Sequence, residues 1–225
     1  MNLIKLGNYY YIFDKTLHSS QKGVTIMLYK KINVVTRTNN YVTFNQLNTT
    51  QKCYKEIVVK KNTYTNGSNE LKYMMQLQDN KSFVKCLGYV KNEFNVYTAT
   101  KYYKNGSLLN HVNTLQAEEL DTIFNKILDI IEYMDSIGIN HGDLKESNVL
   151  LNSKMNPVIN DLESMHNKNV KSSIITKKYT IPNNAPSNIN KDVWSLSVMK
   201  YYAKNKKYPS DLKYNQIENF IITNI

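Results

Sequence analysis

A chain of 225 residues with 41% hydrophobic residues and a formal charge of +11 can build one large domain or two small lobes around a real core. Its two cysteines, Cys53 and Cys86, form no C-x-x-C pair, which disfavours a disulfide framework or cysteine zinc site and fits a reducing, cytoplasmic setting. No run of about eighteen apolar residues occurs, which disfavours membrane spanning, and the charge sits on scattered lysines with Arg37 the single arginine, which disfavours nucleic-acid readout and leaves acidic protein partners open.

In chain order, residues up to about 32 carry β-forming aromatics (Tyr9, Tyr10, Tyr11, Phe13) and the run Val24-Thr25-Ile26-Met27-Leu28-Tyr29, which predicts two strands around a turn that contains Gly23. Residues 33–52 are polar and rich in Asn and Thr, an insertion or extended hairpin with no chemistry assigned. Ile57-Val58-Val59-Lys60-Lys61 reads as a strand with Val58 and Lys60 on one face. Ser68-Asn69-Glu70 predicts a capped start to a short helix through Leu71, Met74, Met75 and Leu77. Strands are expected over 83–89 and 95–100, and then a linker through Lys101, Tyr102 and Tyr103 to Gly106-Ser107-Leu108. From 117 to 137 apolar residues recur at Leu120, Ile123, Phe124, Ile127, Ile130, Ile131, Met134 and Ile137, a helical period that Gly138 would stop. The acidic residues on that helix read as a solvated face.

Two stretches carry more than periodicity. Ile139-Asn140-His141-Gly142-Asp143-Leu144-Lys145-Glu146-Ser147-Asn148 has the spacing H-x-D-L-K-x-x-N before an apolar strand, and Asp192-Val193-Trp194-Ser195-Leu196 begins a second apolar block. Between them, a turn at Asn156-Pro157 returns the chain so that Asp161 comes back beside Asn148. The first stretch resembles the catalytic loop of protein kinases and the second their D-V-W-S-L-G helix, whose Asp hydrogen-bonds the catalytic-loop backbone. The chain is thus similar to eukaryotic-type Ser/Thr protein kinases, and the H-G-D form of the loop looks like the vaccinia-related branch.

That resemblance implies an α+β, two-lobed fold: residues 1–100 an antiparallel sheet with one helix, residues 101–225 mainly helical and lacking the family's last helices. It implies ATP and Mg²⁺ as cofactors and a protein substrate, and no oligomeric state follows. Asp143 would meet the attacking hydroxyl, Lys145 would steady the moving phosphate, and Asn148 and Asp161 would hold the metal. Gly23 would be the surviving glycine of the phosphate-covering loop, where His18 and Ser20 replace two others. Lys60 would reach the phosphates and pair with Glu70, while Thr100, Lys101 and Tyr103 would be gatekeeper and hinge. Glu163 stands where the D-F-G triplet has glycine, and Asn183 where A-P-E has Glu. The segment between carries Ser172, Ser173 and Thr176 as candidate phosphoacceptors, and Gly142 replaces the arginine that would read such a phosphate. Two other classes compete with an active kinase: a pseudokinase binding module, and an aminoglycoside- or choline-kinase-like phosphotransferase, which shares H-G-D-L and D-x-E.

Overall fold

The computed structural model describes residues 2–32, 41–46, 53–170, 176–183 and 189–209. Two compact units divide at Tyr102 and Tyr103. Among the described residues no helix is long and apolar enough to cross a membrane.

The first unit is a closed seven-stranded barrel. Its strands are β1 (Leu3–Leu6), β2 (Tyr9–Ser19), β3 (Thr25–Ile32), β4 (Val42–Gln46), β5 (Glu56–Thr63), β6 (Cys86–Lys91) and β7 (Asn95–Lys101), in the spatial order β1-β2-β3-β5-β7-β6-β4. Neighbours are antiparallel except β1 and β4, which run parallel. The expected antiparallel sheet is therefore extended: part of the polar 33–52 insertion supplies β4, which bridges β1 and β6. Alternation explains the interior, where Ile4, Leu6, Tyr11, Tyr29, Phe44, Ile57, Val59 and Ala99 form one buried cluster. Val58 and Lys60 alternate with that set and face outward.

Helix α1 (Tyr64–Gln76) starts directly after β5, with Thr63 as N-cap. The sequence places its cap at Ser68, five residues too late. The Tyr64 amide instead donates to the Phe94 carbonyl at 2.9 Å, and this tertiary bond lets the helix begin without a linker. Gly67 makes the packing possible, since a Cβ there would lie 2.7 Å from Val96 Cβ on β7.

The second unit is organised by α2 (Ala117–Ser136) and α3 (Lys191–Asn205), which pack together. Seven of the eight apolar positions that define the period of α2 are buried, while Ile137 lies just beyond its end and is exposed. Glu119 accepts from the Gln116 amide at 3.0 Å and caps the helix start. Two short antiparallel pairs frame the loop that follows: β8 (Ile139–Asn140) with β11 (His166–Asn167), and the hairpin of β9 (Val149–Leu151) with β10 (Pro157–Ile159). The turn after Tyr103 is pinned to β9 by the Leu151 amide on the Gly106 carbonyl at 2.9 Å.

Candidate active site

The H-x-D-L-K-x-x-N stretch is held at each polar position. Asp192, the second residue of α3 and 1% exposed, accepts the His141 amide at 2.6 Å and the Gly142 amide at 3.0 Å. His141 is fully buried. Its Nδ1 accepts the Asp143 amide at 3.2 Å, so the ring proton is on Nε2 and is donated to the Asn160 carbonyl at 3.0 Å. The Asn160 amide returns a bond to the Asn148 carbonyl at 2.9 Å. One imidazole and one asparagine thus tie the start of the loop, its end and the approach to Asp161 together.

Asp161 follows in the left-handed region, φ 62° and ψ 59°, which a non-glycine residue adopts at a cost that the surrounding bonds must offset. Asn148 donates from Nδ2 to the Asp143 carbonyl at 2.9 Å, which fixes its amide with Oδ1 as the acceptor, met by the Ser147 hydroxyl at 3.4 Å. Among the described residues no cluster of three His, Cys, Asp or Glu side chains stands ready for a metal. Two oxygen ligands of the Asn148 and Asp161 kind fit Mg²⁺, which takes few protein ligands and completes its shell from water and phosphate.

The Asp143 carboxylate is engaged at both oxygens. Lys145 Nζ lies 2.5 Å from Oδ2, and Thr176 donates its hydroxyl to Oδ1 at 2.5 Å. Lys145 also reaches Thr176 Oγ1 at 3.3 Å. Thr176 is therefore a partner of Asp143. Each carboxylate oxygen keeps a further lone pair for an incoming hydroxyl. A cavity of about 210 Å³ opens here, lined by Gly142, Asp143, Thr176, Tyr179, Ile181 and Lys191. Burial pushes the Lys191 ammonium below its usual range, against the pull of Asp192 and Asp143.

Glu146, inside the loop, is 2% exposed. Tyr179 donates its hydroxyl to Glu146 Oε2, and Tyr208 approaches the same oxygen at 3.4 Å. Burial raises the Glu146 carboxyl above its usual range, opposed by those hydroxyls and by Lys178. Sequence reasoning missed Glu146, Tyr179, Lys191 and the contact of Thr176. Nothing in linear spacing marks a carboxylate beside Lys145 as buried.

In the first unit Lys60 Nζ lies 3.0 Å from both Glu70 oxygens, with the Glu70 side chain 1% exposed. Across β5 and β7, Thr100 stands opposite Val58 and Thr98 opposite Lys60, so all four share the outward face. Gly23 sits in the β2–β3 turn at φ +83° with nothing within 4 Å of a Cβ. The turn backbone alone requires glycine there. Ser20 closes the same turn, its Oγ accepting the Val24 amide at 3.2 Å. Lys101 ends β7 and Tyr103 opens the second unit.

The protein kinase domain profile matches residues 37–224. The 3-phosphoinositide-dependent protein kinase B of Dictyostelium discoideum is 25% identical over 183 residues, 75% of this chain and 20% of that protein. The probable serine/threonine-protein kinase samkB of Dictyostelium discoideum is 34% identical over 90 residues, 36% of this chain and 15% of that protein. Human 3-phosphoinositide-dependent protein kinase 1 is 33% identical over 110 residues, 48% of this chain and 20% of that protein. The chain thus spans a fifth or less of the length of these relatives. Among solved structures, the Cydia pomonella granulovirus kinase PK-1 superposes with a TM-score of 0.69 at 20% identity, covering 94% of this chain and 74% of that one, a likeness of fold. With 188 of its 225 residues matched (224 − 37 + 1), the chain belongs to the protein kinase domain family.

Proposed function

We propose that this chain is an ATP- and Mg²⁺-dependent Ser/Thr protein kinase that needs no phosphate on its activation segment. The observation that carries the reading is the Asp143 carboxylate held by Lys145 and Thr176 with its main chain fixed by His141 and Asn148. Asp143 takes the proton of the attacking Ser or Thr hydroxyl, and Lys145 neutralises charge on the transferring phosphoryl group. Asn148 and Asp161 are assigned to Mg²⁺. Gly23, Lys60 with Glu70, Thr100, Lys101 and Tyr103 are assigned to ATP. Lys145, two residues beyond Asp143, supports the Ser/Thr assignment, as do the names of the relatives. Lys191 in the cavity beside Asp143, with the +11 charge, supports acidic acceptor sequences.

The test is a thermal-shift titration with ATP and Mg²⁺ followed by labelling of generic acceptors. Stabilisation by ATP with Mg²⁺ and transfer to dephosphorylated casein, an acidic Ser-rich acceptor, is expected. No shift at millimolar nucleotide would favour a binding module. Transfer to an aminoglycoside or choline and to no protein would move the chain to the small-molecule class.

Independence from activation-segment phosphate rests on position 142. Gly142 has φ +80°, and a Cβ there would meet His166 Cε1 at 2.6 Å and the Ser164 carbonyl oxygen at 2.9 Å. No side chain fits, so no basic group can stand beside Asp143 to read a phosphate from this position. Ser172 and Ser173 lie outside the described residues. The double change Ser172→Ala with Ser173→Ala should leave kcat of phosphatase-treated protein within about twofold, and a tenfold fall (about 1.4 kcal/mol of barrier) would sink the idea. Thr176 is excluded from that test because its hydroxyl bonds Asp143.

A further inference from the structure

The Glu146 carboxylate is a costly thing to find inside a loop whose other charged groups face chemistry. It is 2% exposed, and its Oε1 meets no donor among the described residues. What it does meet is informative. Tyr179 stands on a tight turn closed by its own amide on the Thr176 carbonyl at 2.8 Å. Thr176, at the other end of that turn, is the residue on Asp143 and Lys145. The cavity beside Asp143 takes Thr176, Tyr179, Thr180 and Ile181 from the same stretch.

A second layer backs the contact. Tyr208 lies 3.5 Å from the Tyr179 hydroxyl and stacks on Tyr202 of α3 with centroids 4.4 Å apart. Lys178 sits over the Tyr208 ring at 4.1 Å. The turn is therefore gripped from two sides, by the catalytic loop through Glu146 and by α3 through Tyr202 and Tyr208.

We infer that Glu146 is a positioning residue which, through Tyr179, holds the 176–181 turn against the catalytic loop and so sets both Thr176 on Asp143 and the wall of the acceptor cavity. For its catalytic half the inference rests on the reading of Asp143 as the phosphoryl-transfer base. Its physical half stands on the contacts alone. A hydrogen bond to a buried carboxylate is among the stronger ones, and its removal loosens the turn's hold on the catalytic loop.

The experiment has two arms, each run on wild type, Glu146→Ala, Glu146→Gln and Tyr179→Phe. The first is limited trypsin digestion with cleavage sites mapped by mass spectrometry. Lys177 and Lys178 are exposed on the turn, and a held turn resists cleavage. Tyr179→Phe and Glu146→Ala are expected to raise the initial cleavage rate there roughly tenfold, the loss of one bond to a charged acceptor. Glu146→Gln, whose amide oxygen still accepts from Tyr179, should stay near wild type.

The second arm measures KM for dephosphorylated casein and, separately, for ATP. The casein KM is expected to rise roughly fivefold or more in the same two variants, with the ATP KM unchanged, and Glu146→Gln should keep the casein KM of wild type. Wild-type cleavage rates in Tyr179→Phe would overturn the inference even if Glu146→Ala fails to fold. An equal rise in both KM values would overturn it too, since that marks a general loss of structure. If wild type transfers no phosphate at all, the kinase reading fails while the digestion arm still decides whether Glu146 holds the turn.

Discussion

Asp143→Asn is expected to slow phosphoryl transfer by about 10²–10⁴-fold, the range of a lost general base, while the thermal shift given by ATP with Mg²⁺ stays that of wild type. The main chain at 143 is restrained independently of its side chain, by the amide on His141 Nδ1 and the carbonyl under Asn148 Nδ2. The substitution keeps shape and leaves an oxygen to accept from Thr176, so the loop has no reason to move. It removes the acceptor for the substrate proton and the charge that pairs with Lys145 at 2.5 Å. Single-turnover labelling at saturating ATP reads the chemical step directly. Loss of nucleotide binding in proportion to activity would assign Asp143 a structural role instead.

Asp192→Ala should strongly destabilise the second unit. Its carboxylate satisfies two buried amides at once, those of His141 and Gly142. Each left without an acceptor costs about 1–3 kcal/mol, which together takes a large share of the roughly 5–15 kcal/mol that holds a typical protein folded. Activity should fall with it, because the two amides belong to the residues immediately before Asp143. Urea unfolding monitored by Trp194 fluorescence checks the expectation, as that side chain is fully buried two residues along α3. A loss under about 1 kcal/mol would mean the loop finds other acceptors for those amides.

Much of the second unit could be read from the chain. The period of α2 follows from local pattern, while the 143, 145, 148 and 161 set and the Asp192 bond to the loop come from the resemblance carried by two motifs. Lys60 and Glu70 meet as expected because ten residues of strand and helix fix their relation with little freedom. What stayed hidden depends on distant partners. The start of α1 at Tyr64 hangs on Phe94, and Ser68 looks like a cap only while that bond is unknown. In β4 only Phe44 is buried, so its Asn- and Thr-rich surroundings carry almost no alternation. Glu146 between Lys145 and Ser147 looks solvated until Tyr179 and Tyr208 are folded over it. Nothing in the sequence around Thr176 shows the bond its hydroxyl makes to Asp143.

The closed circuit of the first unit bears on how other proteins can approach it. An open sheet ends in rows of unpaired amides and carbonyls, the template on which a partner adds a strand or a second copy begins to aggregate. Here every one of the seven strands has a neighbour on each side, and that route is largely shut, the half of β2 beyond Ile12 having β3 alone beside it. Five residues do the shutting, Val42–Gln46, lying between Leu3–Leu6 on one flank and Cys86–Lys91 on the other. Removing them would bare both flanks at once and turn a self-contained body into one with two sticky margins. The stretch with the least chemistry in the sequence is thus the part that closes the circuit of this unit.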